Sequence, residues 1–166
     1  MFNLVLNIMK KLILKLFVIM LFAINYLAMS NMVSAQTFFD KAFTGKYEEK
    51  FSDGKTKYEV NIKKGKKEGL EIFYYPRGNK QIQTNYVNDK EDGVWNQWYE
   101  NGQLKLEAHY QAGQEHGVFI QWYESGQKRV EAHFILGKKD GVESAWAKDG
   151  SVKSTTIYKG GQVVAE

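Results

Sequence analysis

The chain has 166 residues, 43% hydrophobic and 25% charged, a balance that suits one compact unit or a short repeat array and excludes a disordered polymer. Without Cys it can hold no disulfide scaffold, thiolate metal site, cysteine nucleophile or lipidated N-terminal Cys. The net charge of +4 is no sign of nucleic-acid binding, because residues 1–35 carry three Lys and no acid and leave 20 basic and 19 acidic residues in the remainder.

Residues 1–35 read as a secretory signal peptide. Lys10, Lys11 and Lys15 precede the apolar run Leu16 to Met29, and Val33-Ser34-Ala35 supplies the small residues of a cleavage site. The run is about 14 residues long, short of the roughly 20 that a membrane-spanning helix needs. Cleavage is expected after Ala35 and export to the periplasm, cell envelope or medium follows; Met9 is an alternative initiator. Residues 36–44, with Phe38, Phe39 and Phe43, are expected to form an edge strand or plug that caps what comes next.

From residue 45 the chain repeats every 24 residues. Gly54, Gly78, Gly102, Gly126 and Gly150 form one series, and Gly45, Gly69, Gly93, Gly117 and Gly141 form another. Aromatic columns keep the same step: Tyr74, Trp98, Trp122 and Trp146; Tyr75, Tyr99 and Tyr123; Tyr86, Tyr110, Phe134 and Tyr158. Such a period marks stacked supersecondary units. Asn101-Gly102 lies between the runs Val94–Tyr99 and Leu104–Tyr110, which alternate with period two, so each unit predicts a β-hairpin with a two-residue primed turn. The second glycines, as in Gly113-Gln-Glu-His-Gly117, are expected to form the reverse turn between units.

Five units result, 45–68, 69–92, 93–116, 117–140 and 141–164, and predict an all-β fold: an elongated, twisted antiparallel meander of about ten strands. A lone hairpin is marginal in water, whereas stacked ones stabilise each other through neighbour contacts. Lys50 in the Trp column and Ala147 in the Tyr column mark the first and last units as caps. Counting parity along the strands puts Leu104, Leu106, Ala108 and Tyr110 on one face with Val94 and Trp98, and Lys105, Glu107 and His109 on the other with Trp95 and Tyr99.

Trp98-Tyr99-Glu100-Asn101-Gly102-Gln103 and Trp122-Tyr123-Glu124-Ser125-Gly126-Gln127, each followed by Tyr or Phe and a spaced glycine pair, resemble the MORN repeat, in particular the bacterial variant with a recurring Trp-Tyr-x-Asn-Gly turn. The resemblance covers roughly residues 45–164. It implies a row of β-hairpins that serves as a scaffold for protein contacts or, in some members, for lipid headgroups, and an antitoxin-like role in the bacterial branch. Any catalysis in such proteins sits on a separate domain, for which this chain has no room.

Chemistry-bearing residues are few. His109 and His133 share one slot two strands apart, ~10 Å between backbones, too far for a common zinc ligated at about 2 Å. His116 is expected in a solvent-facing turn. Ser52, Ser125, Ser151 and Ser154 sit at or beside turns without a matching His–acid pair, and Glu107 with Glu131 reads as part of a charge ladder. No catalytic residue, metal or cofactor is expected. The expected binding face is Tyr75, Tyr99, Tyr123, Lys105, Arg129, His109 and His133, where rings offer area at low entropy cost and charges offer orientation; a ladder that only stiffens the sheet is the alternative. The partner is expected to be a protein, with a surface glycan or lipid headgroup next and no nucleic acid. Lys63-Lys64-Gly65-Lys66-Lys67 and Lys138-Lys139 are read as solubility devices on turns.

Overall fold

The structure, a computed structural model, describes residues 40–165, which form a single antiparallel sheet without a helix. Its strands are β1 (Gly45–Lys50), β2 (Thr56–Lys63), β3 (Lys66–Tyr74), β4 (Lys80–Val87), β5 (Lys90–Trp98), β6 (Leu104–Gln111), β7 (Gln114–Trp122), β8 (Lys128–Ile135), β9 (Lys138–Lys139), β10 (Gly141–Trp146), β11 (Val152–Lys159) and β12 (Gln162–Ala165). Neighbours follow chain order from β1 to β8 and then through β10, β11 and β12, while β9 pairs with β8. This is the expected all-β meander with two additions. A break at Asp140, whose N–H turns to the His133 carbonyl at 2.9 Å, splits one strand into β9 and β10, and β12 adds a short C-terminal edge. Residues 1–35, expected as a signal peptide, and residues 36–39 lie outside the described residues. Of the expected N-terminal cap, Asp40–Thr44 makes a tight turn, with the Phe43 N–H donating to the Asp40 carbonyl, and receives the Gly65 N–H on the Phe43 carbonyl and the Lys64 N–H on Thr44 Oγ1.

The two kinds of turn are exchanged relative to the sequence expectation. At Tyr99–Gln103 the Gly102 N–H bonds to the Tyr99 carbonyl at 2.9 Å and the Tyr99 N–H to the Gln103 carbonyl at 2.8 Å, while Gly102 has φ +88 and Asn101 is not left-handed. That is a three-residue loop in which a type I turn ends in a left-handed glycine. The Asn101 side chain acts by a different route: its Oδ1 accepts the Gln103 N–H at 2.9 Å, as Asp53 does for Lys55 and Asp149 for Ser151. The two-residue primed turns lie between the units, at Lys64-Gly65, Asn88-Asp89, Ala112-Gly113, Leu136-Gly137 and Gly160-Gly161, where both residues have positive φ.

Gly117 is therefore not part of a turn. With φ +107 it lies inside β7, where Ala108 pairs with Phe119 but Tyr110 with Glu115, so His116, Gly117 and Val118 face His109 alone. A Cβ on Gly117 would lie 3.4 Å from His109 Cβ, and one on Gly141 3.6 Å from His133 Cβ. The second glycine series clears space for the side chains of the column Asn61, Asn85, His109 and His133. His116 accordingly stands in a strand, exposed.

Bulges also overturn the expected faces. Directly opposed residues in an antiparallel ladder project to the same side. Trp95 pairs with Ala108 and Gln97 with Leu106, whereas Val94 pairs with His109 and Asn96 with Glu107. Trp95 therefore shares a face with Leu106, Ala108 and Tyr110, and Val94 shares one with His109. The register shift between Gln97 and Trp98 gives β6 an extra residue, Lys105, before Trp98 meets Leu104. One inserted residue inverts every assignment counted through it.

On the Ala108 face one row runs Glu71, Thr84, Trp95, Ala108, Phe119, Ala132 across six strands. Thr84, Ala108 and Ala132, like Val60 opposite Glu71, are at most 2% exposed. Among the described residues there is no second layer to cover them. Larger side chains, Glu71, Trp95 and Phe119, stand between them in the row, and this alternation of small and large is how a one-layer sheet obtains a core.

Candidate functional site: an alternating aromatic and charged row

Next to that core row on the same face lies a second one. Taken across the strands it reads Lys67, Tyr86, Glu91, Tyr110, Glu115, Phe134, Lys139, Tyr158, charged and aromatic residues in alternation. Register places Tyr86 opposite Glu91, Tyr110 opposite Glu115, and Phe134 opposite Lys139. The four rings are half-buried, and Phe119 packs on Phe134 with centroids 5.9 Å apart.

At both ends of the row the cation is the chain's own. Lys67 Nζ lies 4.7 Å from the Tyr86 ring centroid and donates to Glu71 Oε1 at 2.5 Å. Glu71 is buried and also accepts the Tyr58 hydroxyl at 2.7 Å. Lys139 Nζ lies 4.9 Å from the Tyr158 centroid and pairs with Glu143. In the two middle units the lysine slot holds Glu91 and Glu115, and the Glu71 slot holds Trp95 and Phe119. Neither Glu91 nor Glu115 has a side-chain hydrogen bond or ion pair among the described residues.

The electrostatics follow from this arrangement. Burial pushes the Tyr110 phenol up to about 12, and the charges of Glu115 and Glu91 add to the rise. Tyr86 is pushed up by burial and then by Glu71 and Glu91. Burial holds the Glu115 carboxyl above the usual carboxylate range, with Lys139 opposing.

The residues expected to form the binding face fall into two separate groups. Tyr75, Tyr99 and Tyr123 lie at the rim of long turns, where each hydroxyl donates to the main-chain carbonyl of a residue 23 positions on: Trp98 at 2.9 Å, Trp122 at 2.8 Å and Trp146 at 2.9 Å. Lys105 joins this group, its Nζ 5.6 Å from the Tyr99 centroid, and Arg129 joins it 5.7 Å from that of Tyr123. His109 and His133 stand farther along their strands, beside the bulge glycines, and His109 Nε2 lies 3.2 Å from Glu107 Oε1. No group of three or more His, Asp or Glu among the described residues is placed to hold a metal ion.

The charged and aromatic row was missed by sequence reasoning, although the column Lys67, Glu91, Glu115, Lys139 carries the 24-residue step and its change of sign was there to be seen.

Three consecutive stretches, residues 67–88, 91–112 and 115–135, match the MORN repeat variant family. Residues 67–135 carry three consecutive MORN repeats of the variant type. Repeats of this kind often form modules for protein or membrane-lipid interaction and are not known as enzymes. Among curated proteins none matches the chain.

Proposed function

We propose that the chain is an exported, non-enzymatic MORN repeat module that binds another protein through its sheet. The observation that carries this is the recurrence of Tyr99 with Lys105 and Tyr123 with Arg129 in neighbouring units, each a half-buried ring with a cation beside it at the long-turn rim. Evenly spaced anchors of one chemistry suit an extended macromolecular partner better than a small substrate. Export rests on the basic, apolar and small-residue order of residues 1–35.

Capture of partners from the exported fraction tests the reading. Wild type and a Lys105→Ser/Arg129→Ser variant, which leaves the tyrosine hydroxyl ties in place, are used as baits. Loss of a partner with the variant is expected; equal recovery of every partner removes this rim from consideration. A chain found only in the cytosol would favour an antitoxin-like role against a cognate toxin.

A headgroup-binding reading draws on Lys63, Lys64 and Lys66, which line one groove with Glu68 and Asn88. There the Glu68 carboxylate already accepts the Asn88 N–H at 2.9 Å and offsets part of the positive charge. The protein partner is therefore preferred.

A further inference from the structure

We infer that the middle of the alternating row, Tyr110 flanked by Glu91 and Glu115, is a docking site for a lysine side chain on an extended basic segment of a protein partner. The inference deepens the protein-binding reading and rests on it, but it concerns the face opposite His109 and a different set of residues.

The repeat itself carries two forms of one slot, with a lysine at its two ends and a glutamate in its middle units. In the unit of Tyr86 and in that of Tyr158, an ammonium sits over the ring and is held by a carboxylate, Lys67 with Glu71 and Lys139 with Glu143. An aromatic face together with a carboxylate attracts a cation through the ring quadrupole and direct charge. In the unit of Tyr110 the same half-buried ring is present, but the lysine slots on both sides hold glutamates. Of the four rings in the row, Tyr86 has Lys67 on one side and Phe134 has Lys139, whereas Tyr110 has a carboxylate on each side and, among the described residues, no cation over its ring. Two like charges beside one partly desolvated ring oppose each other and are costly to retain for stability alone. A cation arriving from outside would relieve both.

Charge complementarity selects the occupant. Two acidic groups call for a positive side chain, and the chain's own solution at the equivalent rings is the compact lysine ammonium. Trp95 and Phe119, in the adjoining row of the same face, offer apolar surface for the lysine methylenes. Lys67 and Lys139 border the site at either end of the row, so an isolated positive residue matched to the centre is favoured over an unbroken run of basic residues, which would meet them.

The test uses the purified full-length chain and a fluorescent peptide that alternates lysine and serine, with its Nε-acetyl-lysine counterpart as the uncharged control. Binding is followed by anisotropy at low salt. Wild type is expected to bind the lysine peptide and not the acetylated one. Glu91→Gln/Glu115→Gln should weaken binding by about tenfold or more and Tyr110→Leu by several-fold. Glu100→Gln/Glu124→Gln, which removes equal charge from the long turns, should leave it within about twofold of wild type. Equal weakening by the two double variants would reduce the effect to net charge and overturn the site, as would unchanged binding by Glu91→Gln/Glu115→Gln. Thermal melts confirm that each variant is folded, and the glutamines preserve side-chain shape. If partners are captured at the Lys105 and Arg129 rim while this peptide does not bind, the inference fails and the protein-binding function stands.

Discussion

The two rims of the sheet solve the same problem, joining one repeat to the next, with different chemistry. At the long-turn rim the ties are side chains: the Tyr75, Tyr99 and Tyr123 hydroxyls each reach across an intervening strand to the carbonyl of Trp98, Trp122 or Trp146. At the short-turn rim the ties are main chain. The N–H groups of Asp89, Gly113, Gly137 and Gly161 donate to the carbonyls of Lys67, Glu91, Glu115 and Lys139 at 2.8–3.1 Å. Carboxylates one residue further on reinforce this rim, with Glu68 taking the Asn88 N–H, Asp92 that of Ala112 and Asp140 that of Gly160. A main-chain tie specifies backbone shape and not side-chain identity, which is why the short turns range from Lys64-Gly65 to Leu136-Gly137 while the long-turn column keeps Tyr in the three inner units and departs from it only at Phe51 and Ala147 in the first and last.

The contrast can be broken most sharply on the main-chain side. Gly117→Ala forces a Cβ onto a backbone at φ +107 and within 3.4 Å of His109 Cβ, and should lower stability by roughly 2–3 kcal/mol in urea titrations. Gly102→Val on the other rim meets only the conformational penalty, because nothing lies within 4 Å of the new Cβ, and should cost about 1–2 kcal/mol. Tyr99→Phe keeps the ring and deletes one tie. It leaves the Trp122 carbonyl short of a donor and should cost about 1 kcal/mol by the same measurement.

A gain should follow where a short turn carries a poor residue. Leu136 is exposed and left-handed at φ +49, so Leu136→Asn should stabilise by about 0.5–1 kcal/mol, seen as a higher melting temperature. The smallest effect is one of pH. Because the folded-state pKa of Glu115 is raised by burial, its ionisation costs stability as pH rises through the carboxylate range. Glu115→Gln should melt like wild type in acid below that range and slightly above wild type at neutral pH.

The architecture was legible because glycines and aromatic columns share one step, and a shared step has few causes other than stacking. What failed was local. Gly102 and Gly117 both announce positive φ, but a glycine does not say whether it closes a loop or interrupts a strand, and Gly117 proved to clear room for His109. Ala112 and Leu136 occupy left-handed positions with no compositional sign at all. The faces were inverted because parity was carried through Lys105, an extra residue that period-two counting cannot detect. The tyrosines at the long-turn rim were seen as a column, but the acceptors of their hydroxyls are main-chain carbonyls in the next unit, which leave no mark in side-chain pattern. Glu91 and Glu115 were passed over since, one at a time, each resembles an ordinary surface acid.

The ties at each rim recur between the same pair of slots in successive inner units, so a duplicated stretch of one whole period would bring both halves of each new bond with it. Such a chain can grow or shrink in length by unequal recombination without redesigning a single contact, whereas a fractional insertion would leave donors and acceptors out of step along both borders. Copy number is thus a freely adjustable property of this architecture, and with it the reach of whatever surface the sheet presents.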